Sequence, residues 1–167
     1  MNKAISKTLV AVLTTACCVG AVVGCYFGLH EKIEANTPEA PATIAAIFPD
    51  YASATELQDY DSEYIRSCYD VETADDQQGY YYELVSAMGR SGTLEFAIGV
   101  VDGTVTNYAF LDAGSEDAMG VAMAQEQAAD LFIGYTMDST DLVAGVTMTS
   151  QAMATAIRAA LTDAQGR

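Results

Sequence analysis

The sequence has no tryptophan, one histidine and only seven lysines and arginines among its 167 residues. Against those seven basic residues stand 23 aspartates and glutamates, which give a formal net charge of −16. This balance excludes a nucleic-acid partner, because binding to phosphates along a strand requires a basic stripe. Hydrophobic residues make up 51% of the chain. The chain is therefore not a disordered acidic polymer, and its length fits one globular domain.

The shortage of histidine and cysteine limits the chemistry that the chain can perform. His30 is the only histidine, and a Ser-His-Asp or Cys-His site farther along the chain would lack its base. Of four cysteines only Cys68 lies beyond residue 30, which excludes a disulfide framework there. No metal-ligand spacing is present. We therefore predict neither catalytic residues nor a metal site.

An uncharged run from Thr8 to Leu29 predicts a transmembrane helix. Its 22 residues would span roughly 33 Å as a helix, close to the thickness of a bilayer core and longer than the apolar part of a cleaved signal peptide. Lys3 and Lys7 precede the run, whereas the residues after His30 include five basic and 23 acidic side chains, a charge of −18. The N-terminus is therefore predicted to be cytoplasmic and the C-terminal part extracytoplasmic, in a single-pass protein of the cell membrane.

A second interpretation of the same segment is open. The four residues that end at Cys25 (Val-Val-Gly-Cys) resemble a bacterial lipobox, in which Cys25 would be lipidated after cleavage. Against this, the four residues after Cys25 continue the apolar run. On either interpretation the domain is tethered and faces outward. We divide the chain into an anchor at 1–30, a linker at 31–41 and an extracytoplasmic domain at 42–167.

The clearest local pattern in the domain is that of β-strands. Residues 94–100 and 105–111 alternate in hydrophobicity, and the Asp102-Gly103 pair between them is typical of a tight hairpin. Residues 80–87 are rich in aromatic side chains and form a further predicted strand. Together these segments predict an antiparallel meander of at least three strands.

Helices are predicted on both sides of this meander. The predicted helices are residues 42–48, 118–132 and 151–163, with short possible helices in the acidic segment 51–78, where Tyr64, Ile65 and Cys68 would share one face. This order predicts an α+β fold, an antiparallel sheet with helices packed against one face, preceded by one N-terminal transmembrane helix.

The segment from residue 141 to residue 150 (Asp-Leu-Val-Ala-Gly-Val-Thr-Met-Thr-Ser) is the one that carries recognisable chemistry. It combines a turn at Gly145, several hydroxyl groups and the predicted start of the last helix, with Thr149 or Ser150 as the N-cap. The unpaired N–H groups and the positive dipole end at such a helix start favour a phosphate.

This stretch resembles the attachment motif of the FMN-binding domain family, which reads Asp, two or three residues, Ser/Thr-Gly-Ala-Thr, one residue and Thr-Ser. The family includes flavin-carrying subunits of the Rnf electron-transport complex and of the sodium-pumping NADH:quinone reductase, and the Rnf type is the more similar. Its FMN is bound through a phosphoester to the last Thr of Ser/Thr-Gly-Ala-Thr, installed from FAD by a flavin transferase. The resemblance implies Thr147 as the acceptor, with Asp141 and Gly145 as flanking positions and Thr149 and Ser150 as the tail.

The resemblance extends to an Ile-Phe-Pro segment at 47–49 and a Gly-Val-Val-Asp-Gly hairpin at 99–103. The sequence also departs from the family. Ala144 stands where the family has Ser or Thr, which removes a hydroxyl, and Val146 stands where it has Ala, which adds bulk beside Thr147. Of the family's Glu-Thr-Pro-Gly-(Leu/Ile)-Gly stretch, only Glu116 and Gly120 match.

The resemblance implies a membrane-anchored electron carrier with covalent FMN on Thr147. It would be a subunit of an ion-translocating Rnf-type ferredoxin:NAD oxidoreductase, an electron-transfer subunit rather than a stand-alone catalyst. Its partners would be the other membrane subunits and, during maturation, the flavin transferase. A free-standing exported flavoprotein in extracellular electron transfer is one alternative. A cofactor-free surface or scaffold protein, in which Thr147 merely caps a helix, is another.

Overall fold

The computed structural model describes residues 41–167. The predicted membrane helix at residues 8–29 and the lipobox at Cys25 lie outside the described residues, so both stay predictions. Within residues 41–167, no helix combines the length and the apolar character that crossing a membrane requires.

The described residues form an antiparallel sheet of five strands with helices packed on it. In chain order the elements are α1 (Ile44–Ile47), β1 (Tyr51–Leu57), β2 (Ile65–Thr73), β3 (Gln78–Val85), β4 (Glu95–Val101), β5 (Thr104–Asp112), α2 (Ala118–Glu126), α3 (Ala128–Phe132) and α4 (Thr147–Gln165). Each strand pairs with the next, in the spatial order β1-β2-β3-β4-β5. The predicted α+β fold is confirmed, with two strands more than the minimum expected.

The hairpin between β4 and β5 forms where the sequence predicts it. Asp102 and Gly103 both adopt positive φ, 50° and 70°. A two-residue hairpin of this type requires positive φ at both central positions, which Asp-Gly supplies at little cost. This turn fixes the register of the two strands that precede the candidate site.

The larger core lies between one face of the sheet and helices α2 to α4. Helix α4 contributes the apolar stripe that its sequence predicts, and all five of its members are buried: Met153, Ala156, Ile157, Ala160 and Leu161. They belong to one cluster with sheet residues such as Tyr82, Phe96 and Ile98. Burying a large apolar side chain is worth about 1.5–3 kcal/mol, so this face anchors α4 firmly on the sheet.

The opposite face of the sheet is also covered, contrary to the prediction that helices pack against one face. Ile44, Ile47 and Phe48 of the α1 segment form a second buried cluster with sheet residues such as Tyr81. A Cβ added at Gly99 would lie 2.7 Å from Cγ2 of Ile47, which shows how closely the segment approaches the sheet. As a result β4 is buried on both faces rather than half-buried.

The acidic segment 51–78 forms strands, so the prediction of short helices there is wrong. The register of β2 against β3 shifts between Ile65 and Ser67, a β-bulge. A bulge inserts one extra residue and thereby interrupts the two-residue alternation of a strand. Ile65 and Cys68 consequently both join the larger core cluster although they are three residues apart, a spacing that imitates a helix.

The helical segment 118–132 is also less regular than predicted. It is divided into α2 and α3, with Gln127 between the two helices. The side chain of Asp117 caps the start of α2 by accepting from the N–H groups of Met119 (3.1 Å) and Gly120 (3.0 Å). This cap lies at the end of α2 that faces the last helix of the chain.

Candidate functional site

A cleft of about 260 Å³ lies beside Thr147. The residues on one side are Arg90, Asp117, Met119 and Gly120, and those on the other are Gly145, Val146, Thr147, Met148 and Thr149. We call residues 89–92 and 116–120 the Glu116 wall, and residues 141–149 the Thr147 wall. Two distant parts of the chain therefore meet at the predicted attachment point.

The Thr147 wall turns at Gly145 and then enters α4. Gly145 has a φ of 89°, which favours glycine, and nothing lies within 4 Å of the Cβ that another residue would place there. Thr147 is the first residue of α4 and is exposed. Its hydroxyl donates one long hydrogen bond, 3.4 Å, to the Val143 carbonyl. The hydroxyl oxygen is thus accessible from the cleft.

The prediction that Thr149 or Ser150 is the N-cap of this helix is wrong. The helix begins at Thr147, four residues before the predicted start, and Val146 occupies the N-cap position. Thr149 and Ser150 therefore lie in the first turn, where both are buried. The Ser150 hydroxyl accepts from the Val143 N–H (3.3 Å) and donates to the Val146 carbonyl (3.1 Å), so it fastens the turn to the helix.

The predicted site residues therefore separate into two groups. Gly145, Thr147 and Thr149 line the cleft. Asp141 lies exposed in the loop before the turn, and Ser150 lies beneath the turn; neither is among the described residues that line the cleft. The sequence motif contains all five, but the structure gives them different surroundings.

The start of α4 offers backbone donors to the cleft. The first N–H groups of a helix have no acceptor within the helix, and here they are those of Thr147, Met148 and Thr149. Among the backbone contacts of the described residues, the first N–H of α4 that bonds back is that of Ser150, to the Val146 carbonyl at 2.9 Å. With the positive end of the helix dipole, these groups suit a phosphate linked at Thr147.

The Glu116 wall is organised by one carboxylate. Oε1 of Glu116 accepts from the N–H groups of Ser91 and Asp117, both at 3.0 Å. Oε2 accepts from the Arg90 N–H at 3.1 Å and from the Thr149 hydroxyl at 3.2 Å. Glu116 therefore joins the loop before β4, the start of α2 and the first turn of α4.

Arg90 is the basic side chain among the residues that line the cleft. Its Nε lies 3.6 Å from Oδ2 of Asp117, and its side chain is 58% exposed. Hydrogen bonding from the Gly120 N–H is the main reason why the pKa of Asp117 is lowered, and Arg90 adds to this effect. The guanidinium thus remains accessible to an anion at the cleft while a stable carboxylate orients it.

Residues 89–162 match the family model of the FMN-binding domain. The matched span begins in the Glu116 wall and includes the Thr147 wall and most of α4. The match supports the resemblance seen at residues 141–150 and supports FMN as the ligand of this domain. A comparison with curated proteins found no match for the chain.

The residues present fit the phosphate end of FMN. The cleft offers an exposed hydroxyl on Thr147, free backbone donors in the first turn of α4 and the Arg90 guanidinium opposite. Met119 and Met148 are 50% and 63% exposed at the same cleft and give it apolar, adaptable sides. Sequence reasoning missed Arg90, Asp117 and both methionines. In the sequence, Gly89 and Gly92 enclose Arg90 and Ser91, a pattern typical of a turn. That turn and the match of Glu116 and Gly120 to the family are the signals that point to this wall.

Proposed function

We propose that this chain is an electron carrier that holds FMN covalently on Thr147. The observation that carries the proposal is the position of Thr147, exposed at the first residue of α4 and at the edge of a cleft, inside the span that matches the FMN-binding domain. The sequence motif alone does not indicate whether the acceptor hydroxyl can be reached. Its exposure in the folded domain supports the attachment.

In the proposed attachment, Thr147 Oγ1 forms a bond to the phosphorus of the FMN half of FAD. The pyrophosphate bond to the AMP half breaks, AMP leaves with that electron pair, and the hydroxyl proton is released. In the family that the motif resembles, a flavin transferase catalyses this step, and we propose the same here. Thr147 gains a phosphoester, and the domain gains one FMN less one water.

The roles of the chain's own residues follow from their places in the cleft. The N–H groups of the first turn of α4 and the Arg90 guanidinium stabilise the negative charge of the phosphodiester. The exposed methionines of the two walls supply apolar contact area for a planar ring. The bound flavin supplies the redox chemistry, accepting and passing on one or two electrons, and needs no general base from the protein.

We further propose that the carrier is anchored in the cell membrane with its domain outside, as a subunit of an Rnf-type ferredoxin:NAD oxidoreductase. This part rests on the uncharged run at residues 8–29, on the flanking charges and on the resemblance of the motif. A free-standing exported flavoprotein and a cofactor-free surface protein are the competing functions. The cofactor-free protein would carry no flavin. Of the two flavin carriers, only the complex subunit would copurify with other membrane subunits.

The test is the intact mass of the full chain expressed with a flavin transferase. We expect a gain of one FMN less one water, mapped by peptide analysis to Thr147, and its complete loss in Thr147→Ala. Thr140→Ala is the matched control, because Thr140 is an exposed threonine of the preceding loop. An unmodified wild-type mass would refute the proposal. Copurification of membrane subunits would then separate the complex from the free carrier.

A further inference from the structure

Glu116 is the residue that connects the two walls of the cleft. Four donors lie 3.0–3.2 Å from its carboxylate oxygens. They are two N–H groups of the 89–92 loop, the N–H of Asp117 and the hydroxyl of Thr149 on α4. Each carboxylate oxygen accepts two of these hydrogen bonds. The Thr149 hydroxyl that reaches it belongs to a residue that is almost completely buried, with 2% exposure.

The backbone around Glu116 is fitted to its side chain. A Cβ added at Gly89 would lie 2.0 Å from Oε2 of Glu116, and one added at Gly120 would lie 2.2 Å from its Cγ. Neither distance is tolerated by real side chains, so both positions require glycine while Glu116 stays where it is. The N–H of Glu116 also bonds to the Thr93 carbonyl at 3.1 Å, which ties its backbone to the segment just before β4.

We propose that Glu116 is a positioning residue, which fixes the Arg90 loop and the first turn of α4 as one unit so that Arg90 and the Thr147 hydroxyl face the same cleft. The last step of this inference rests on the proposed attachment of FMN to Thr147. Glu116 is not among the residues that line the cleft, so it acts through Arg90 and Thr149.

The chemistry of the site requires a carboxylate rather than an amide. A carboxylate presents two acceptor oxygens, and hydrogen bonds to a charged acceptor are stronger than neutral ones. In Glu116→Gln the side chain keeps its size but has one acceptor oxygen, and its NH₂ group would face two N–H or O–H donors. With the NH₂ group in the Oε1 position, the N–H groups of Ser91 and Asp117 both lose their acceptor. In the Oε2 position the Arg90 N–H loses its acceptor, while the Thr149 hydroxyl can turn to accept from the NH₂. At least one backbone contact is therefore lost without a change in volume.

The experiment combines a structural readout without flavin with a rate measurement. In unmodified Glu116→Gln we expect the amide protons of Arg90, Ser91 and Asp117 to exchange at least tenfold faster, while those of β4 keep wild-type protection. With a flavin transferase and FAD, modification of Thr147 should slow at least tenfold, mainly through kcat at saturating carrier rather than through KM. Thr149→Val should slow the reaction severalfold, and Thr149→Ser, which keeps the hydroxyl, should restore it.

Three results would overturn the inference. The first is that exchange at the three amides does not change in Glu116→Gln, and the second is that those amides lose protection while Thr147 is still modified at the wild-type rate. The third is that Thr149→Val and Thr149→Ser are modified at the same rate. If the amides of β4 also lose exchange protection in Glu116→Gln, that variant disturbs the fold. The modification rates of Thr149→Val and Thr149→Ser then decide whether the contact between Glu116 and Thr149 matters. Failure of the proposed function is distinguishable, because a wild-type chain that takes no flavin refutes the attachment, whereas the exchange data still show whether Glu116 joins the walls.

Discussion

The two walls of the cleft are held in different ways. In the Glu116 wall a carboxylate has four donors, Asp117 caps α2, and Arg90 pairs with Asp117. In the Thr147 wall the chain turns through Gly145, and the Thr147 hydroxyl makes one long hydrogen bond of 3.4 Å. The first wall is a hydrogen-bonded network, whereas the second is an exposed turn fastened from below by Ser150.

This difference fits the proposed modification of Thr147 by an enzyme. For the proposed attachment, the Thr147 hydroxyl would have to enter the active site of a transferase, so the segment that carries it would have to be accessible. The residues that receive the attached group need fixed positions instead, because preorganised donors stabilise charge without reordering. The fold therefore leaves the Thr147 hydroxyl accessible, while the N–H groups of the first turn of α4 and the Arg90 side chain of the Glu116 wall are the donors held in place around it.

The largest effect on stability is expected from Gly120→Ala in the Glu116 wall. The new methyl group would lie 2.2 Å from Cγ of Glu116, so either the helix or the carboxylate must move. We expect an overpacking cost of about 3 kcal/mol in the free energy of unfolding. Urea denaturation of the two proteins measures it, and a cost under about 0.5 kcal/mol would contradict the rigid fit described for this wall.

The matched variant in the other wall is Gly145→Ala. Its methyl group would meet no atom within 4 Å, so the cost comes only from the backbone conformation, with φ at 89°. We expect about 1 kcal/mol. The same denaturation experiment checks it. If Gly145→Ala proved more destabilising than Gly120→Ala, the contrast between the two walls would be lost.

A smaller and purely functional effect is expected for Arg90. In Arg90→Gln the Glu116 network is kept, because that network uses the backbone N–H of Arg90 and not its side chain. Modification of Thr147 should slow severalfold while the melting temperature stays within a few degrees of wild type. Arg66→Gln is the control, since Arg66 pairs with Glu95 and does not line the cleft. Equal rates for both variants would remove Arg90 from the site.

The smallest effect is expected when the pH is lowered, and it concerns the Asp117 cap at the start of α2. The pKa of Asp117 is lowered, first by the Gly120 N–H, so its cap of α2 contributes stability that is present above its ordinary pKa of 3.8. That stability is lost as the pH falls through the lower folded-state value. The Met119 and Gly120 amides should therefore keep their exchange protection at pH 3.8 and lose it as the pH falls further, and Asp117→Asn should remove the pH dependence. The same pH dependence of these two amides in the wild type and in Asp117→Asn would count against this role.

Local signals predicted those parts of the fold that local physics decides. The Asp102-Gly103 hairpin and the apolar stripe of α4 are properties of short segments, and both are confirmed. Strand β2 was missed because its bulge between Ile65 and Ser67 gives a helix-like spacing of buried residues. The second buried face was missed because the cover given by the short α1 segment depends on tertiary packing.

The candidate site divides in the same manner. The Thr147 wall is one continuous segment, so a motif in the sequence is enough to locate it. The contacts of Glu116 with Ser91 and Thr149 cross 25 and 33 residues of chain, and no periodicity links them. In the sequence Arg90 is only part of a glycine turn. These contacts form only in the folded domain, where the sheet and α4 bring both walls to the same cleft.

The start of α4 at Thr147 determines how far an attached flavin could move and how concentrated it would be at the cleft. The helix is 19 residues long and its buried stripe is packed in the larger core, so its first residue moves with the body of the domain. A flavin joined there would stay within the length of its own ribityl chain from a fixed point. Its effective concentration at the cleft would be set by that short tether, typically millimolar, and would be the same however dilute the protein became.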